Sequence, residues 1–308
     1  MPVIAALLLL QAAAATPPTR PAPPPAEPAT AIATAEAPLL HDTRGRPVMT
    51  VRINGKGPFP MVVDTAAQTS LMAAGLAAEL GLKPMADGIR VEGATGASQS
   101  RLYPVDRIGN ALFDARYVAV VELSNSGVTD ARGIIGMERF TDARLVVDRT
   151  ARRIARTASG PAPAGFATIA GQRTAEGFVT VPMTLNGVSV PALVDSGAAA
   201  TIVNAAAFRL LGWADTDPRI SNGGEIRGAA AGGQAIRTAR FDKVGVGRIT
   251  LSNVPLSVAD DGATRPSIIL GSDLLNLFPG YAVDFPRAEL HIRLPQGSDA
   301  RGGAHPAP

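Results

Sequence analysis

Two aspartates carry the chemistry available to this sequence. Asp195 ends the apolar run of residues 191–194 and is followed by Ser196 and Gly197, while Asp64 ends residues 60–63 and is followed by Thr65 and Ala66. A carboxylate at the end of an apolar strand is costly unless its oxygens accept hydrogen bonds, and a tight turn offers backbone N–H groups and a hydroxyl for that purpose. Taken singly, either stretch reads as a plain strand-to-turn junction. The pattern occurs twice, however, 131 positions apart. Two carboxyls brought together cannot both ionise cheaply, so they would hold one proton between them and could serve as base and acid toward a single water.

The elements that must position these acids also repeat. Residues 51–55 and 183–187 each close a strand-like run on Asn-Gly, at Asn54-Gly55 and Asn186-Gly187, the strongest short hairpin signal. Val179, Val181, Met183 and Leu185 alternate with more polar positions, which predicts a strand with one buried face. After each aspartate comes an alanine-rich segment, residues 71–81 and 203–212, that predicts one short helix ending on glycine. Glycine-bearing loops follow at 91–96 and 226–233, then matched segments at 105–109 and 241–245 and strands at 117–123 and 254–259. Each half ends on an apolar pair before glycine, Ile134-Ile135-Gly136 and Ile269-Leu270-Gly271, and on a closing hairpin begun by 145–148 or 282–285. These ordered features predict two homologous all-β lobes, residues 39–157 and 166–295, joined by a Pro/Gly/Ala linker at 158–165.

The ends and the composition bound the function class. Residues 3–10 form an apolar core too short to span a bilayer, and with Ala13, Ala14 and Ala15 they fit a secretory signal over residues 1–15. The expected location is therefore exported, periplasmic or secreted. The Pro/Ala-rich residues 16–38 and the tail 296–308 predict disordered segments. Net charge is only +3, from Lys+Arg 29 and Asp+Glu 26, and aromatics make up 4%, which argues against nucleic acid as a partner. Arg152, Arg153 and Arg156 predict a solvated strand edge or linker. The absence of cysteine removes thiolate nucleophiles, disulfides, Cys-ligated metal and a lipid-anchored cysteine. Three histidines, His41, His291 and His305, are too scattered to predict a metal site, and no G-x-S-x-G elbow is present for a serine triad.

The chain resembles the pepsin/retropepsin group of aspartic proteases. The resemblance rests on Asp64-Thr65, Asp195-Ser196-Gly197 and the two apolar-Gly elements ending at Gly136 and Gly271. It covers the chain apart from its two ends, and residues 195–198 and 268–275 look most like a bacterial retropepsin-like branch. It implies two lobes with a cleft between them, a dyad of Asp64 and Asp195 activating water to hydrolyse peptide bonds, and no metal or cofactor. It further implies that Thr65, Ser196, Gly197, Gly136 and Gly271 support the dyad, and that Gly93, Gly96, Gly228, Gly232 and Gly233 mark flap-like hairpins. The implied partner is a peptide or protein substrate, with no stable membrane anchor and a monomeric chain. Ala66 departs from the family, which has glycine there. That leaves two alternatives beside the endopeptidase, a silent peptide-binding module and an enzyme that pairs second lobes from two chains. Ala67 and Ala198 lack the hydroxyl common in pepsin-like members, which predicts a less acidic dyad. Tyr103 and Trp213 are expected in the core, with the cleft as their other possible place.

Overall fold

The structure, a computed structural model, describes residues 33–86, 88–93, 96–214, 217–228 and 233–294. Two six-stranded barrels built in the same strand order account for most of it. In the first, Pro47–Ile53, Lys56–Val63, Gly133–Ile135, Leu71–Ala73, Asp114–Leu123 and Leu102–Gly109 lie side by side, and Leu102–Gly109 closes on Pro47–Ile53. In the second, Val179–Leu185, Val188–Val194, Ile268–Leu270, Ile202–Asn204, Ile249–Ala259 and Gly233–Val246 repeat that order, and Gly233–Val246 closes on Val179–Leu185. Closure leaves no free edge among these twelve strands, and the inward residues of each barrel pack as core. Val179, Val181, Met183 and Leu185 are all buried, as their alternation predicts.

The hairpins start where expected. Asn54 and Gly55 have φ of 48° and 79°, and Asn186 and Gly187 have 48° and 88°. Both central residues of each turn are thus left-handed, as a two-residue hairpin loop requires. The predicted helices are shorter than expected. Residues 71–73 and 202–204 are strands, and within the predicted segments helix occupies only Ala74–Leu80 and Ala205–Arg209; the second half also carries a short helix beyond the one expected, Ser272–Leu275, directly after Gly271. The helical pattern loses these residues because each short strand pairs with the apolar strand ahead of Gly136 or Gly271, and that pairing buries Met72 and Val203 completely.

A third sheet joins the halves. Arg144–Asp148 pairs with Gly280–Asp284, and the sheet runs outward through Arg153–Thr157 to Ala35–Pro38 on one side, and through Glu289–Arg293 to Phe166–Ala170 on the other. Two expectations change here. The ordered chain begins before residue 39, because Ala35–Pro38 is a strand paired with Arg153–Thr157. For the same reason Arg153–Thr157 is an inner strand and not an edge, though Arg152 and Arg153 are exposed to solvent; Arg153 pairs with Glu36 and Asp148, and Arg156 with Asp142. The expected signal, residues 1–15, most of the tether and the tail lie outside the described residues. No helix among the described residues is long and apolar enough to cross a membrane.

Candidate active site

Each aspartate sits where a strand ends against the strand threaded beside it. Gly133–Ile135 runs parallel to Lys56–Val63, and Ile268–Leu270 runs parallel to Val188–Val194. The backbone N–H of Asp64 donates to Ile135 O and that of Asp195 to Leu270 O, each at 3.0 Å. Past the threaded strand the chain turns on glycine. A Cβ on Gly136 would lie 2.7 Å from Ala67 O, and one on Gly271 2.6 Å from Ala200 O. Both glycines are needed for close backbone approach to the aspartate loops.

The two aspartate turns grip each other. Thr65 Oγ1 donates to Val194 O at 2.7 Å and accepts from Ser196 N–H at 3.0 Å, while Ser196 Oγ donates to Val63 O at 2.6 Å and accepts from Thr65 N–H at 3.2 Å. Thr65 and Ser196 are each 1% exposed, so these four bonds are made without competition from solvent. They bring the carboxyls of Asp64 and Asp195 within hydrogen-bonding reach of each other. Ala66 N–H donates to Asp64 Oδ1 and Ala198 N–H to Asp195 Oδ1, both at 2.8 Å. Ala66 is not among the residues with positive φ, so alanine keeps the donor that the turn needs. Burial pushes both carboxyls up from their ordinary value. At Asp64 the Ala66 N–H and the Arg46 guanidinium oppose that push, whereas at Asp195 the negative charge of Asp64 adds to it, and Asp195 is held well above the carboxylate range.

The dyad lies at the floor of a cleft of about 500 Å³. Leu71 and Ile134, paired in the first half, and their equivalents Ile202 and Ile269, paired in the second, line it. Two hairpins, Ile89–Gly93 with Gly96–Ser100 and Ile220–Arg227 with Gly233–Val246, contribute Val91 and Ile226 to its lining. Gly93, Gly96, Gly228 and Gly233 stand at the ends of these hairpins, and Gly93 and Gly228 line the cleft; Gly232 lies outside the described residues. Tyr103 is buried, with its hydroxyl on Glu122, and Trp213 stacks on Phe241 beneath Arg219. Neither is among the residues that line the cleft.

The halves match two family models in tandem. Residues 49–139 match a family described as "Aspartyl protease", and residues 181–277 match one described as "gag-polyprotein putative aspartyl protease". The chain belongs to the retropepsin-like aspartic proteases. No curated protein matches it. Two features of this aspartic protease chain escape motif reading. Ser70 and Thr201, each six positions after its aspartate, donate from Oγ to Glu138 at 2.5 Å and to Asp273 at 2.6 Å, and accept from Gly136 N–H and Gly271 N–H. They clamp the apolar-Gly turn to the aspartate loop in both halves. Their shared spacing from the aspartates is the signal that could have found them. The other feature is Arg46, a buried cation that donates to Gly197 O at 3.0 Å; nothing in its neighbouring sequence marks it.

Proposed function

We propose that the chain is an endopeptidase that hydrolyses peptide bonds with a water held between Asp64 and Asp195. The reciprocal grip of Thr65 and Ser196 carries this assignment, because it holds two carboxyls together at a cleft floor where they can share one proton. The ionised carboxyl takes a proton from the water as its oxygen attacks the peptide carbonyl carbon. The protonated partner donates to the carbonyl oxygen, giving a neutral tetrahedral diol. Collapse breaks the C–N bond, with a proton passing to the leaving amine, and the dyad returns to its single shared proton. Two carboxyls too close to ionise together are the common device of aspartic proteases, so this part of the mechanism is general to the family.

The substrate class follows from the cleft. Leu71, Ile202, Ile134 and Ile269 suit apolar side chains on either side of the scissile bond, and the two hairpins that line the cleft suit an extended peptide. Both aspartates come from one chain, which supports a monomer and leaves no need to pair second lobes from two copies. The signal-like residues 1–15 support export to a periplasmic or extracellular location. The test is cleavage of a peptide library by the wild type, Asp64→Asn and Asp195→Asn. Cleavage lost in both variants is the expected result. A wild type that binds peptides without cutting them would leave a binding module, and loss in Asp195→Asn alone would leave Asp64 idle.

A further inference from the structure

The two halves carry the same five-residue turn ahead of their first barrel strands, and it ends differently in each. Asp42 N–H donates to Arg46 O at 3.1 Å and Gly45 N–H to Asp42 O at 3.0 Å; 132 positions on, Thr174 N–H donates to Phe178 O at 2.9 Å and Gly177 N–H to Thr174 O at 3.0 Å. Gly45 and Gly177 are both left-handed, with φ of 80° and 92°. The turns are therefore equivalent, and their last residues, Arg46 and Phe178, both line the cleft. The pseudo-two-fold relation of the halves breaks here, with a guanidinium on one side and a phenyl ring on the other.

The guanidinium is fixed. Its side chain is 6% exposed. Nε and Nη2 donate to Asp42 Oδ2 at 2.8 and 2.6 Å, Nη2 also to Val128 O at 2.6 Å, and Nη1 to Gly197 O at 3.0 Å. Asp42 is itself held by the N–H groups of Arg44 and Arg46 and by the Thr129 hydroxyl. Gly197 is the residue against which the Asp64 carboxyl packs, since a Cβ there would come within 2.8 Å of Asp64 Oδ1. A cation tied into the first half thus reaches the aspartate turn of the second, beside the carboxyl of Asp64.

We propose that Arg46 is a positioning residue that decides which aspartate loses its proton first, making Asp64 the ionised member that draws the proton from water and Asp195 the member that keeps its own. The proposal rests on the two-aspartate hydrolysis above. Two like carboxyls sharing a proton are nearly degenerate, so a modest difference in local field suffices to order them; about 1.4 kcal/mol is tenfold in proton occupancy. The opposing effects of Arg46 on Asp64 and of Asp64 on Asp195 run in this direction. Other charged groups around the dyad do not reproduce the asymmetry. Arg44, Arg90 and Arg227 on the cleft walls stand with Glu92 and Glu225, all exposed to solvent, which screens them. Glu138 and Asp273 occupy equivalent places and are bonded to Ser70 and Thr201. The Tyr281 hydroxyl is held protonated by burial, and there the charges of Asp195 and Arg149 act in opposite senses.

The experiment is a 13C NMR titration of protein labelled at aspartate carboxyls, with Asp64→Asn and Asp195→Asn identifying the two dyad signals. It compares the wild type with Arg46→Met, Arg46→Lys and the double variant Asp42→Asn/Arg46→Met. The double variant removes both buried charges together and carries the test if Arg46→Met alone strands Asp42 and fails to fold. Expected is a wild type in which Asp64 ionises first. Its midpoint rises by about one pH unit in Arg46→Met and in the double variant, and Arg46→Lys restores most of the shift. An Asp195 that ionises first, or an Asp64 midpoint unmoved in the variants that fold, overturns the proposal. A wild type that fails to cleave peptides removes the hydrolytic function instead, and the titration still decides the part played by Arg46.

Discussion

Gly197→Ala is the substitution on which the two-aspartate geometry depends most directly. Gly197 is not among the residues with positive φ, so an added methyl meets no disallowed backbone; it meets the other half's acid. The new Cβ would overlap Cγ and Oδ2 of Asp64 and approach Oδ1 to 2.8 Å, where ordinary contact begins at 3.4 Å. Asp64 cannot keep its place. The overlapped oxygen must retreat by about 1 Å, a misplacement that costs on the order of 100-fold in rate when it falls on a reacting group. That loss equals about 2.7 kcal/mol of transition-state stabilisation. The stability cost of overpacking is smaller in consequence, about 1–3 kcal/mol, and leaves a folded protein to assay. The assay is kcat/KM on a cleaved fluorogenic peptide, with urea unfolding of the same samples. Ala66 holds the equivalent place in the first half, so Ala66→Gly should keep kcat/KM within about threefold and lose at most about 1 kcal/mol of stability. A Gly197→Ala protein with wild-type kcat/KM would refute the claim that Asp64 works from the position described.

Thr65→Val takes one donor from Val194 O and the acceptor from Ser196 N–H; urea unfolding should show a loss of about 1–3 kcal/mol, with Thr65→Ser close to wild type. Asp42→Asn leaves Arg46 a buried cation without its carboxylate, and should cost about 3–5 kcal/mol, more than Asp42→Asn/Arg46→Met; equal stability of the two proteins would count against a buried pair. Burial holds Glu138 above its ordinary 4.5 despite the Ser70 hydroxyl. Its contribution to stability is therefore complete below 4.5 and is lost as pH rises through the raised folded value, so unfolding free energies measured against pH should show that limb in the wild type and not in Glu138→Gln. With both dyad carboxyls pushed up and Ala67 and Ala198 offering no hydroxyl, kcat/KM should peak between mild acid and neutrality; a maximum only below about pH 3 contradicts it.

The repeat was legible because strand, turn and close approach each leave a mark in residue type. Asn-Gly fixes two left-handed residues in a row, alternation at Val179–Leu185 fixes a buried face, and glycine at 136 and 271 fixes a backbone contact that any side chain would block. Less legible were residues whose fate depends on a distant strand. Residues 71–73 and 202–204 carry a helix-compatible pattern, yet pairing with the threaded strand claims them. Ala35–Pro38 reads as part of a Pro/Ala-rich tether, and becomes a strand because Arg153–Thr157 offers it an edge. Ser70 and Thr201 do not stand out in the sequence, because a lone hydroxyl six residues beyond an acid resembles any turn residue until its carboxylate partner from residues 138 or 273 is in view.

By itself the sequence determined that this protein has two matched halves, one acid at the end of an apolar strand in each, and backbone turns that demand glycine at set places. Those are local matters, decided by propensity, periodicity and allowed dihedrals. Tertiary structure decided that the two acids meet, through hydroxyls reaching 131 positions across the chain to the backbone of the opposite half. It also decided that the halves differ, by burying Arg46 at one turn where Phe178 stands at the other. A field at a carboxyl depends on distance and burial, and neither is written in the order of the residues.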